Sequence, residues 1–203
     1  MISPFTKKMW LFLLLPLLTA GMAMAQKLPT IASKTAGMKQ YPGYFTFYYD
    51  DANGKIWLEI DKLNQEFLYV NSLPAGLGSN DIGLDRGQLG GERVVYFSKQ
   101  GPKVMLVQPN LAYRANSNNP NERRAVEESF AQSILWGFKA EAAEGNKVLV
   151  DATDFLLRDA HDVIGSIKRS KQGNYKLDAS RSALYLPRTK NFPRNSEFEA
   201  TLT

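Results

Sequence analysis

The chain has no cysteine and a single histidine, His161, in 203 residues. Without cysteine there are no disulfides, no thiolate nucleophile and no thiolate metal ligand. One imidazole cannot supply an H-E-x-x-H pair or a zinc shell, which takes three or four protein ligands. Neither sign of charge dominates. Lys and Arg number 25 and Asp and Glu 20, an excess too mild to imply nucleic acid. Long apolar runs are missing as well. The one sustained run, "MWLFLLLPLL" (9–18), is shorter than the roughly 20 residues of a comfortable bilayer span.

That run is instead the centre of a three-part secretory signal. Lys7 and Lys8 form the positive region, and Ala23 and Ala25 give the A-x-A spacing of a cleavage site. Cleavage is expected between Ala25 and Gln26, with delivery to the periplasm, the cell surface or the medium. A lipid anchor would need a cysteine after the run, so no stable membrane anchor is expected. Removing Lys7 and Lys8 takes the formal charge from +5 to +3, and about 178 residues remain, enough for one domain with an ordinary core. Residues 26–42 are basic, weakly apolar and without amphipathic period, which reads as a linker.

"FYYDDANGKIWLEI" (47–60) places two acids, an asparagine and a glycine between apolar runs. A calcium loop of the EF-hand type would put Tyr49 at its first position and Ile60 at its twelfth, and both fail as ligands. The alternation of Phe45, Phe47 and Tyr49, answered by Ile56, Leu58 and Ile60, predicts a hairpin turning at Asn53-Gly54. A third strand is expected over 66–73. Residues 74–91 hold six glycines in eighteen positions. They lack the Gly-Lys-Ser/Thr of a phosphate loop, and Asp81 stands where G-x-G-x-x-G needs its third glycine. Loops of this length are often functional. Its charged members Asp81, Asp85 and Arg86 are therefore the candidates for contact with another domain, although an Asp–Arg pair often only pins a loop.

"RVVYFSKQGPKVMLVQP" (93–109) predicts a second hairpin. A helix is expected over about 120–136, with Asn119 as N-cap, Pro120 at the first position and Glu122 reaching back. Val126, Phe130, Ser133 and Ile134 would form its apolar face, and Gly137 its end. Glu127 and Glu128 are adjacent on that helix, about 100° apart, so they do not converge on one substrate atom. A third hairpin should turn at Glu144-Gly145-Asn146. A second helix is expected over about 154–169, with Leu156, Ala160, Val163 and Ile167 as its stripe and His161 on the flank. Asp159 and Asp162 lie round the helix from His161, so no ligand cluster forms there. A G-x-S-x-G nucleophile elbow is absent. "NSEFEATLT" (195–203) alternates Phe198, Ala200 and Leu202 inward and reads as a strand in full stride. The coding sequence is therefore expected to continue past Thr203, with the domain over 43–203 truncated at its C-terminal end.

Five blocks carry a resemblance: "GLGSNDIGLDRGQLG", "GPKVMLVQPNLAYRA", "NPNERRAVEESFAQSILWGFKAEAAEG", "VLVDATDFLLRDAH" and "LDASRSALYLPRTKNFPRNSEFEATLT". Together they resemble a domain of unknown function that precedes the met-zincin-type catalytic domain in exported bacterial zinc-dependent metalloproteases. The resemblance implies that zinc belongs to the full-length protein, held by an H-E-x-x-H-x-x-G-x-x-H helix further along, and that the partner of this chain is the downstream protease domain. No catalytic or metal residue is carried over, because none of those positions exists here. The expected fold is α+β, mostly antiparallel hairpins with two helices. The competing reading is a free-standing peptide- or glycan-binding module using Tyr44, Tyr48 and Trp57 on the outward side of the first hairpin.

Overall fold

The first hairpin forms where the alternation places it. Strand β2 (Phe47–Asp50) pairs with β3 (Lys55–Ile60) so that Phe47 faces Leu58 and Tyr49 faces Ile56. The computed structural model describes residues 28–78 and 80–203; the expected signal peptide and its cleavage point at Ala25 and Gln26 lie outside the described residues. The turn is longer than an Asn-Gly pair. Asp50 accepts from the Asn53 backbone N–H (3.2 Å) and side-chain amide (2.8 Å), and only Gly54 takes a positive φ, +64°. A glycine meets that demand without a Cβ penalty.

The protein is α+β and mostly antiparallel. Its remaining sheet strands are β1 (Lys39–Tyr41), β4 (Phe67–Tyr69), β5 (Arg93–Gln100), β6 (Lys103–Gln108), β7 (Ser133–Glu144) and β8 (Lys147–Asp151). They form one eight-stranded sheet in the order β1-β2-β3-β8-β7-β6-β5-β4. The hairpins expected at 93–109 and around Gly145 are both present, as β5–β6 and β7–β8. Strand β7 is the corner. Its first half, up to Lys139, pairs with β6, and its second half, from Ala140, pairs with β8, with a register shift between Ala140 and Ala142. A one-residue bulge of this kind bends a strand and reverses which side the next residues face. Ala140 joins the main core, whereas Ala142 joins a second cluster on the opposite face.

The sheet folds over this corner until its ends meet. Phe45, just before β2, packs edge-on against Phe97 of β5 (5.5 Å) and Phe67 of β4 (5.1 Å). Leu63 bridges to Phe97 across the same gap. Phe47, Ile56, Ile60, Val95, Val104 and Val150, all fully buried, fill the interior. The opposite face of β3 is covered by helix α1 (Ile31–Lys34), whose Ile31 packs on Trp57, Ala142 and Leu149. The linker expected over 26–42 is thus replaced, from residue 28 onward, by a capping helix and an edge strand. Four residues are too few to show a helical period, and Thr30 supplies the cap by accepting from Ser33 N–H.

Three further expectations are corrected. The helix at 120 stops early: α2 spans Pro120–Ser129, and 133–136 belong to β7. Asn119 does cap it and Pro120 does open it, with Glu122 accepting from the Asn119 side-chain amide at 3.4 Å. No residue of α2 is buried, Ile134 is exposed, and Gly137 is a mid-strand residue opposite Met105. Pairing of this first half of β7 with β6, Ser133 opposite Gln108 and Ile134 opposite Val107, outweighs the weak helical period. The helix expected over 154–169 is two pieces, α3 (Thr153–Leu156) and α4 (Val163–Arg169). Asp162 has a left-handed backbone, φ +57°, and the Asp159 carboxylate accepts from the N–H groups of Val163 and Ile164 at 2.9 and 2.8 Å. That carboxylate starts a new helix instead of continuing the old one. The final strand is likewise broken. β11 (Asn195–Glu197) pairs with β10 (Lys190–Phe192), and β12 (Ala200–Thr201) pairs with β9 (Ala183–Leu184). Phe198 is inward, 4.9 Å from Phe47, but Leu202 is exposed.

Burial separates what is essential from what is not. Phe47→Ala should cost about 3–5 kcal/mol, the range for removing a buried aromatic ring. Val126→Ala, on the solvated α2, should cost less than about 1 kcal/mol. Urea unfolding of the two variants checks both; equal losses would mean that α2 carries a core face after all.

Candidate functional site: a hairpin arm at the sheet edge

Strands β4 and β5 do not stop at the sheet edge. Their pairing continues past Tyr69 and Arg93 into residues 71–73 and 87–90. Gly90 N–H donates to Asn71 O (2.7 Å), Leu73 N–H to Gln88 O (2.9 Å) and Gly87 N–H to Leu73 O (2.7 Å), and Ser72 bridges to Leu89. The glycine-rich stretch is therefore the end of a long hairpin arm. At Gly76 the two sides come so close that a Cβ would lie 2.9 Å from the backbone nitrogen of Arg86, so glycine is required there. Beyond it, Leu77 N–H donates to Leu84 O, and Leu84 is buried, which folds the tip back on itself.

A polar seam ties one side of the arm to the body. Asn71 Nδ2 lies 3.0 Å from His161 Nδ1, and Arg93 reaches Asn71 Oδ1 at 3.5 Å and Gly91 O at 3.0 Å. Next to it, Arg158 donates to Tyr69 Oη at 2.9 Å and stacks 4.2 Å from the centre of Phe155, with Trp136 also beside it. Arginine suits this place because its flat guanidinium stacks on rings while still donating hydrogen bonds. His161 is thus a hydrogen-bonding residue at the base of the arm. The sequence placed it on a helix flank; it sits in the connection between α3 and α4. Asn71 carried no sequence signal, since its role depends on a residue ninety positions away.

Along the arm, Leu68, Val70, Leu77 and Leu89 are exposed, Leu68 at 61% and Leu89 at 62%. Asp81, Asp85 and Arg86 are also exposed. Backbone hydrogen bonds, not an Asp85–Arg86 pair, hold the loop. The apolar residues of the arm are the part that sequence reasoning missed. A half-exposed strand at a sheet edge has the same alternation as a buried one.

Elsewhere two clusters of titratable groups are engaged with one another. Glu59, 6% exposed, accepts from Tyr48 Oη (2.8 Å) and Lys147 Nζ (2.7 Å). Burial first, and then the hydrogen bond to Glu59, push the Tyr48 hydroxyl up to about 12. Lys55 pairs with Asp151 at 2.7 Å. Burial pushes the Asp151 carboxyl up, but hydrogen bonds from Lys55 and Thr153 outweigh it and hold the group below its usual range. Trp57, expected as an outward aromatic, is 7% exposed, with Lys34 Nζ 4.5 Å over its ring. Tyr44 packs against Phe45 and Phe67 on the other face. Tyr44, Tyr48 and Trp57 therefore do not form a shared platform. Among the described residues no group of three or more His, Asp or Glu is placed to hold a metal ion, and no helix is long and apolar enough to cross a membrane.

By architecture this is an antiparallel α+β protein whose most exposed apolar side chains include two leucines of one hairpin arm. Residues 87–203, more than half of the chain, match the family model described as "Domain of unknown function (DUF5117)", and the chain belongs to that family. Residues 29–76 match a second model, "Domain of unknown function (DUF5118)". No curated protein and no solved structure matches the chain.

The half-buried Tyr48 gives a pH signature. A raised phenol favours the neutral form in the folded state, so its contribution to stability is complete below the unfolded value near 10. It is lost as pH rises from there through about 12. Glu59→Gln should bring the Tyr48 transition down and narrow that window. Ultraviolet titration of tyrosinate against a Tyr48→Phe reference reads it, and an unmoved transition contradicts the assigned cause.

Proposed function

We propose that this chain is the non-catalytic N-terminal portion of an exported zinc-dependent metalloprotease, and that the β4–β5 arm is the surface on which the downstream protease domain rests. The parent protein is read from the five sequence blocks and their order. The observation that carries the contact surface is the exposure of Leu68 and Leu89 on an arm held by its opposite side through Asn71 and His161. Exposed apolar residues concentrated on one element mark interaction surfaces more often than isolated ones do. Zinc, the activating glutamate and the bound water belong to the downstream domain in this reading. The part played here is to position or cover that domain, in the periplasm, at the cell surface or outside the cell.

Leu68→Asp combined with Leu89→Asp in the full-length protein should weaken association of the two domains at least about tenfold, the equivalent of one lost apolar anchor. Proteolytic activity should change with it. Asp85→Ala with Arg86→Ala probes the tip separately. Unchanged activity and unchanged association in both variants would remove the arm from the interface. An open reading frame past codon 203 that reaches H-E-x-x-H supports the parent protein, and a stop codon there removes it.

A further inference from the structure

The two matched families meet inside the arm, one ending at residue 76 and the other beginning at 87. The sheet does not divide there. Strand β3, from the first segment, is hydrogen-bonded to β8, from the second, over Trp57↔Asp151 to Ile60↔Val148. Strand β4 is likewise paired with β5 over Phe67↔Val95 to Tyr69↔Arg93. Side chains follow the same lines. Ile56 N–H donates to Thr153 Oγ1 (3.1 Å), Lys147 pairs with Glu59, and Asn191 Nδ2 donates to the carbonyls of Tyr41 (2.7 Å) and Phe45 (2.8 Å). Phe45, Phe47, Ile56, Leu58 and Ile60 are buried against Val95, Phe97, Val148 and their neighbours in one cluster.

Neither segment keeps a closed core without the other. Residues 29–76 alone would present strands with apolar side chains on both faces of β3 and few residues to cover them; segments of this size are marginal even when self-contained. Residues 87–203 alone would show the open edge of β8 and, across the corner at β7, the open edge of β5. Unpaired edges flanking exposed apolar residues are templates for another strand.

We propose that residues 29–76 are an obligate strand donor to residues 87–203, and that the β8 and β5 edges of the second segment form the acceptor built for them. The partner that the DUF5117 segment recognises is then the DUF5118 segment, by strand addition at two edges and insertion of Phe45 and Phe47 into the shared core. The covalent link through the arm tip is not what holds them together. This pairing is independent of whether a protease domain follows.

The test starts from the full chain. A recognition sequence for a sequence-specific protease is inserted between Ile82 and Gly83, and the folded protein is cut to completion. The two pieces should co-elute as one species on native gel filtration, with the near-ultraviolet circular dichroism of the uncut protein, and should separate only in denaturant. Separation under native conditions overturns the proposal. Hydrogen exchange on the unmodified chain gives a second reading that needs no insertion. The amides of Leu58 and Ile60 should share one global opening with those of Val95, Val148 and Val150. Exchange of the β3 amides through a separate and more frequent opening, while β5 and β8 stay protected, overturns it equally.

Discussion

Strand β7 belongs to both halves of the sheet, and the bulge at its middle decides what each half buries. An eight-stranded antiparallel sheet with apolar residues on one face has two solutions in water: a second layer, or a bend that lets the sheet cover itself. The described residues have little helix to spare for a layer, and the sheet bends. Small side chains at Ala140 and Ala142 allow the strand to turn without overfilling the corner, and the inserted residue, Glu141, points its carboxylate to Lys139 and Lys34 instead of into the core. After the bend, Phe45 reaches Phe97, and the row of rings continues through Phe138 to Phe155. Edge-to-face contacts of this kind add about 0.5–1.5 kcal/mol each beyond area burial. They also fix which strands lie opposite one another.

Much of this was legible in the sequence wherever a pattern was local. The first, second and third hairpins came from alternation plus a glycine at each turn, and the cap of α2 from Asn119 and Pro120. What failed had a common cause. Ala140 and Ala142 stand two apart, yet the bulge between them sends one to each face of the sheet, which no local pattern announces. Ser133 and Ile134 fit a helical stripe and a strand equally well over a few residues, and pairing with Gln108 and Val107 of β6 chose the strand. The stripe Leu156, Ala160, Val163 and Ile167 has helical spacing, yet Asp159 offers its carboxylate to the backbone ahead of it and ends the run. The Asn71–His161 contact has no local trace.

Three of the acidic residues flagged by adjacency, Asp159, Asp162 and Glu128, have structural partners. Asp159 caps α4, and Asp162 meets Arg169 at 2.8 Å. Glu128 pairs with Arg124 on a solvated helix, an arrangement worth only about 0.3–0.5 kcal/mol. Glu59 is the exception in burial, and it is answered by two donors, Tyr48 and Lys147, as a carboxylate in that position must be. Hydrolytic chemistry needs a group left poised and reachable, with a partner that tunes it. Glu59, Asp151, Asp159 and Asp162 have structural partners.

The arm carries four of the exposed large apolar side chains, Leu68, Val70, Leu77 and Leu89. A strand edge with exposed leucines invites aggregation unless something limits it. Here exposed Glu66 and Glu92 stand two residues from Leu68 and Val94 in the chain. Charges at that spacing discourage a second copy from pairing flat against the edge without preventing a shaped partner from reaching Leu68 and Leu89. The seam at Asn71 and His161 holds the other side of the arm, so those leucines are presented by a braced hairpin and not by a free loop. A surface of this kind loses little conformational entropy when it is covered, which favours a standing contact over a transient one.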